Sequence, residues 1–136
     1  MAGKLTGLGW TTLSLDDGAA SLQDIKNDVT NFNFAMPRGV EDVTGVDKFA
    51  YERLLLLADF SGALNGVFNV DANKSHAVLK TVSTTSINRT LSLGVASQTL
   101  SNEVLVTDYQ LNRGNDGAFT WSAPFVLADG TAPAWS

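Results

Sequence analysis

Apolar residues in this chain recur at alternate positions, and that period restricts the folds open to it more than any other feature. Phe32, Phe34 and Met36 interleave with Asn31, Asn33 and Ala35, so an extended segment here has one apolar face and one small polar face. The same alternation returns in Leu91, Leu93 and Val95 and again along residues 105–112, where Asp108 and Gln110 fall between apolar neighbours. Phe119 and Trp121 alternate with Thr120 and Ser122 after Arg113-Gly114-Asn115-Asp116-Gly117, a hairpin signal because Asp-Gly tolerates positive φ. Residues 10–15 read as a short strand closed by Asp16-Asp17-Gly18. Pro124 demotes its strand to an edge or marks a bulge. The expectation is a mainly β fold, a small β-sandwich or barrel, in a single domain of 136 residues.

Four segments depart from the alternation. Residues 54–60, which begin with four leucines, are apolar on both sides and predict a strand covered on both faces. Gly62 and Gly66 follow and would allow a bend or bulge. Residues 71–82 predict one flanking α-helix: Asp71 is placed to cap it, and Ala72, Ser75/His76, Leu79 and Val82 form one stripe. Residues 38–53 hold 7 of the 23 charged residues and predict a long exposed arm. Gly130 and Pro133 predict that the tail, residues 128–136, leaves the sheet. Trp135 then needs a place to dock, which we expect across a subunit boundary beside residues 5–10.

Most chemistry is excluded by inventory. There is no cysteine and a single histidine, so thiolate zinc sites, cysteine nucleophiles and multi-imidazole metal sites are ruled out. Ser75 and His76 project about 100° apart on a helix and cannot act as nucleophile and base. The acidic pairs Asp16-Asp17 and Glu41-Asp42 lack the setting of a glycosidase pair. Asn69-Val70-Asp71-Ala72-Asn73 lacks the glycine and distal Glu of a calcium loop. No phosphate-binding loop is present. The expectation is a chain that is no enzyme and needs no cofactor. Its net charge of −5 argues against gripping phosphate backbones. Residues 1–7 carry one positive charge with no apolar stretch behind them, and residues 54–58 fall far short of the roughly 20 apolar residues of a membrane helix. A soluble protein made in a cytoplasm, without membrane insertion, is therefore expected.

In sequence order, Val29-Thr30-Asn31-Phe32-Asn33-Phe34, the charged arm, Asp59-Phe60-Ser61-Gly62 to Gly66-Val67-Phe68-Asn69, Ser75-His76-Ala77-Val78-Leu79-Lys80 and the closing Leu127-Ala128-Asp129-Gly130-Thr131-Ala132-Pro133-Ala134-Trp135 resemble the major tail tube protein of long, non-contractile-tailed bacteriophages. Tubes of contractile phages and of secretion machines are similar in fold. The resemblance implies a homo-oligomer: hexameric rings whose sheets join into a barrel and stack into a hollow tube. It implies tape-measure and tail-terminator proteins as partners, location in the virion, and DNA that passes through without specific binding. A carbohydrate-binding or adhesin-like β-sandwich is the alternative, and it predicts a monomer with an aromatic platform.

Within that resemblance, strand parity nominates Asn31, Asn33, Asp59, Asp108, Gln110, Thr120 and Ser122 to line the lumen, although a one-residue slip would invert the set. The inter-subunit candidates are Arg38, Glu41, Asp42, Asp47, Lys48, Glu52 and Arg53 on the arm, with Trp135 in the tail. At −5 per copy the wall would repel or ignore DNA.

Overall fold

A computed structural model describes residues 3–136. Alternation becomes strands almost wherever it occurs. The elements are β1 (Thr12–Asp16), β2 (Leu22–Asp24), β3 (Val29–Ala35), β4 (Arg38–Asp42), β5 (Arg53–Ala58), β6 (Ser61–Val67), α1 (Ser75–Leu79), β7 (Arg89–Val95), β8 (Gln98–Val106), β9 (Gln110–Arg113) and β10 (Phe119–Leu127). All strand pairs are antiparallel. The main sheet runs β2-β1-β7-β8-β10-β6-β3, and β9 joins β10 on the side that β8 also uses. It curls around one core without closing into a barrel. Trp10 beside β1 and Phe32 on β3 meet edge to face, with ring centroids 4.9 Å apart. The mainly β architecture with one flanking helix is therefore as expected.

The inward apolar positions of the sheet feed that core, with Asn102 buried between Leu100 and Val104 on β8. Leu13 and Leu15, Leu64, Leu91 and Leu93, Leu100 and Val104, and Trp121 and Phe125 are all buried. Two glycines of β6 make room for the largest of them. Trp121 pairs with Gly66 and Phe125 with Gly62. A Cβ at Gly66 would strike the Asp28 carbonyl and sit 2.7 Å from the indole, and one at Gly62 would strike the Asn33 carbonyl and sit 2.8 Å from the Phe125 ring. The glycines admit aromatic rings in place of bending β6, and the register shift falls on β3, between Val29 and Asn31.

Several expectations are corrected. Pro124 sits in a central strand, not an edge. Thr107 N–H donates to the Pro124 carbonyl at 3.1 Å, which turns the proline's donorless side toward residues 107–109. There the stretch read as one strand is interrupted, with β8 ending and β9 beginning. The arm is exposed as expected but is not a loop throughout. β4 and β5 form a separate two-stranded hairpin with residues 43–52 as its tip. Residues 54–57 are bare on both faces of that hairpin, where covering on both sides was expected. β5 projects from the core because β3 and β6, not β4 and β5, carry the inward aromatic and leucine contacts.

The helix is shorter than its sequence stripe and is held from elsewhere. It spans five residues, and Asp71 does not cap it. The buried Asp28, 47 positions away, accepts the Ser75 N–H at 3.0 Å and the Asn69 amide at 2.9 Å. At the other end, the buried Arg89 donates to the Val78 carbonyl at 2.8 Å, the Asp16 carbonyl at 2.9 Å and the Thr81 hydroxyl at 3.1 Å. Burial lowers the Arg89 pKa, and the nearby Asp17 and Asp16 offset this in part. A carboxylate meets the free N–H groups and a guanidinium meets the free carbonyls, as the ends of a helix require. His76 is half-buried, as a structural helix histidine should be. Asp28→Ala should cost about 1–3 kcal/mol by orphaning buried donors. Asp71→Ala should stay within about 0.5 kcal/mol. Urea unfolding of the two variants checks the assignment, and the reverse ranking would return the cap to Asp71.

Candidate functional site

Two surfaces stand out. The first is the outward face of β3, β6, β10 and β9. Register brings Asn31 opposite Asn65, Asn65 opposite Ser122, and Ser122 opposite Gln110, so one polar row crosses four strands. Thr120 pairs with Asn112 beside it, and Asn33 with Ala63 on the other flank. The Asn65 amide donates to the Asn31 carbonyl oxygen at 2.9 Å. The Asn31 amide donates to the Thr30 hydroxyl at 3.4 Å, and that hydroxyl donates to the Asn65 backbone carbonyl at 3.3 Å. A shallow depression of about 400 Å³ lies over this row. The Trp121 ring beneath it is buried, so no aromatic platform faces the depression.

Of the seven parity-based candidates, the structure brings five together on this face: Asn31, Asn33, Gln110, Thr120 and Ser122. Asp59 and Asp108 are exposed but lie on the connections between β5 and β6 and between β8 and β9. Asp59 spends a carboxylate oxygen on the Phe60 N–H at 2.8 Å. Sequence reasoning missed Asn65 and Asn112, although both have the parity of their polar neighbours. The two glycines flanking Leu64 had drawn attention to backbone freedom instead of to Asn65.

The second surface is the arm. On β5, Leu54 and Leu56 face one way and Leu55 and Leu57 the other, with exposures of 57%, 46%, 61% and 91%. Val40 pairs with Leu55 and is also exposed. Phe49 and Val46 at the tip stand fully in solvent. The tip is organised by polar contacts of its own. Thr44 donates its hydroxyl and its N–H to Asp42, which lowers the Asp42 pKa. Glu52 accepts the Gly45 N–H at 3.2 Å, and Arg53 lies over the Tyr51 ring at 4.7 Å. Asp47 and Lys48 approach at 3.7 Å, and Arg38 donates to the Leu56 carbonyl at 2.9 Å. Glu41 faces Leu54 across the hairpin. Sequence reading marked the charges of this arm and missed the leucines as an exposed surface.

The tail leaves the sheet after β10 and returns to its own chain. Trp135 forms an isolated bridge with Leu100, and Ser136 exchanges two backbone hydrogen bonds of 2.9 Å with Thr99. The indole meets Phe34 at 6.1 Å and remains 43% exposed. Ala132 and Pro133 pass beside Leu55, Leu56 and Leu57 to form a groove where tail and arm meet. Elsewhere, His76 Nδ1 lies 3.0 Å from the Tyr109 hydroxyl, and burial raises the Tyr109 pKa. No nucleophile joins that pair. Among the described residues no group of three or more His, Cys, Asp or Glu could hold a metal ion. No helix among them is long and apolar enough to cross a membrane.

No protein-family model matches the chain, and no curated protein does. Solved structures do. A chain in the virion of a native gene transfer agent particle superposes with a TM-score of 0.74 at 13% identity, covering 98% of this chain and 99% of the other. A chain in the tail of an empty gene transfer agent particle, determined with helical refinement and C6 symmetry, gives 0.71 at 15% identity, covering 98% of each. At such identities the likeness establishes the fold, and it extends over nearly the whole of both chains. Trp135→Ala should lower the stability of the isolated chain by about 1–3 kcal/mol through lost packing on Phe34 and Leu100. Thermal unfolding of dilute protein reads this, and an unchanged midpoint would assign the ring to a neighbour alone.

Proposed function

We propose that this chain is a structural subunit of a phage-like tail, and that copies of it close into hexameric rings, stack into a hollow tube and let DNA pass. The carrying observation is β5. A two-stranded hairpin with apolar side chains on both faces does not persist bare in water. Fully burying each leucine is worth roughly 1.5–3 kcal/mol, and the chain has no second layer of its own to do so. Further copies of the chain supply one.

The surface area agrees. A compact protein of this mass exposes about 6,800 Å², whereas this chain exposes 8556 Å². The surplus on this one chain is about twice the roughly 800 Å² that each partner gives to a standard interface. Low charge, 17% of residues, fits a protein whose surface is largely covered in its working state.

The sheet also offers a way to close. Around the first half of β10 the order is β9-β10-β6-β3, four strands with free edges at β9 and β3. Pairing the β3 edge of one copy with the β9 edge of the next removes both exposed edges. With the six-fold symmetry of the gene transfer agent tail, this makes about 24 strands. At about 4.8 Å per strand and a tilt near 40°, they enclose a backbone radius of roughly 24 Å. That leaves room for a double helix. The arm and its charged residues, Arg38, Glu41, Asp42, Asp47, Lys48, Glu52 and Arg53, then reach a neighbouring copy, and polar contacts of that kind set register more than affinity. Trp135, partly covered by its own chain, presents its remaining face to such a contact. In the virion, tape-measure and tail-terminator proteins would meet the inside and the end of this tube.

Electron microscopy of purified protein should show rings or tubes. Leu55→Asp with Leu57→Asp should leave a folded monomer with unchanged circular dichroism and abolish assembly. A wild-type protein that stays monomeric at high concentration, or a double variant that still polymerises, would refute the reading.

A further inference from the structure

We infer that the uncharged amide and hydroxyl row of β3, β6, β10 and β9 is the wall facing the channel, and that it carries DNA past without ion exchange. This deepens the tube reading above and rests on it. The first ground is charge. Among the described residues of these four strands Arg113 alone carries a charge, and its register partner is Phe119, on the other parity from the row. A surface designed for solubility carries about 25–35% charged residues. A four-strand face without one ionisable group is not built for contact with bulk solvent alone. It is not built for burial against an apolar partner either, because Asn31, Asn65, Ser122, Gln110, Asn112 and Thr120 would each need a polar partner there.

The second ground is how the row uses its donors. Phosphate is recognised by cations and by free N–H and O–H groups. Here Asn65 donates to Asn31, Asn31 to Thr30, and Thr30 back to the Asn65 carbonyl, a circuit closed within the wall. Asn31 and Asn65 each spend one N–H inside the row, while the exposed Asn33, Gln110 and Asn112 turn their amides to water. Such a surface keeps water at the wall and gives a polyanion nothing to exchange for its counterions. With no cation in the row, the counterion release that gives a log-log salt slope of about 0.9 for each phosphate neutralised would be absent.

The third ground is continuity. The row runs from edge to edge of the four-strand segment and ends on the two free edges, β3 and β9, that the tube reading joins. Joined edges would continue the row around a ring. The charged connections carrying Asp59 and Asp108 lie outside the four strands. This separates an uncharged wall from an acidic one.

Two measurements test the inference. A helical reconstruction of assembled tubes should show Asn31, Asn65, Ser122 and Gln110 facing the channel. Tubes that place this row on the outer surface or between copies would overturn the inference and leave the tube reading standing, whereas absence of tubes removes both. In particles, the rate of DNA ejection should be nearly flat with salt concentration. Ser122→Lys, and separately Gln110→Lys, should slow ejection several-fold at low salt, with relief as salt rises. Steep salt dependence in the unmodified particle, or Lys variants that assemble and eject at the normal rate throughout, would overturn it.

Discussion

The register between β6 and β10 decides which side chains this sheet turns outward. It is set by two aromatic rings lying on two glycines: Trp121 over Gly66 and Phe125 over Gly62. A slip of β6 by one residue would place Leu64 in water and Asn65 in the core, against a β10 that still turns Trp121 and Phe125 inward. The Trp121 indole N–H adds a directional restraint by donating to the Val67 carbonyl at 2.9 Å. Once that register is fixed, β3 and β9 follow by pairing, and the polar row is assembled.

Buried charges attach the remaining elements. Asp28 draws the loop after β6 and the start of α1 onto the turn before β3, and Arg89 ties β1, β7 and the end of α1 together. Both carboxylate oxygens of Asp28 and both terminal nitrogens of Arg89 make hydrogen bonds, which is the condition under which buried charge is tolerated. The result is a rigid body with one projecting part. The arm makes its own polar contacts at the tip and none of the inward apolar contacts of the core, so its stability is expected to depend on what covers it.

Alternation made the strands legible because period two is local information. Phe32 and Phe34, Leu91 and Leu93, and Trp121 point where their parity indicated, whereas Phe119 lies exposed against Phe68. The hairpin at Asp116-Gly117 was legible for the same reason, and Gly117 has φ 93°. What could not be read was non-local. Asp71 has the right side chain for a cap, but Asp28 holds the position through a contact across 47 residues. The turn at Ala96 and Ser97 carries no glycine although both residues have positive φ, so it hid a hairpin. Parity put five of the seven candidates on one face of the sheet, whereas Asp59 and Asp108 fell in connections, where parity has no meaning. The leucines of β5 led to an expectation of cover on both faces that the chain's own fold does not provide, because which segments pack together is non-local.

The account therefore stands on what covers β5. Hydrogen–deuterium exchange of residues 53–58, followed as protein concentration is raised, tests this most directly. The account predicts fast exchange in dilute protein and strong protection once the chain assembles, alongside core strands such as β7 that stay protected throughout. Exchange in residues 53–58 that remains fast in assembled material, or that is already slow in the dilute monomer, would contradict it.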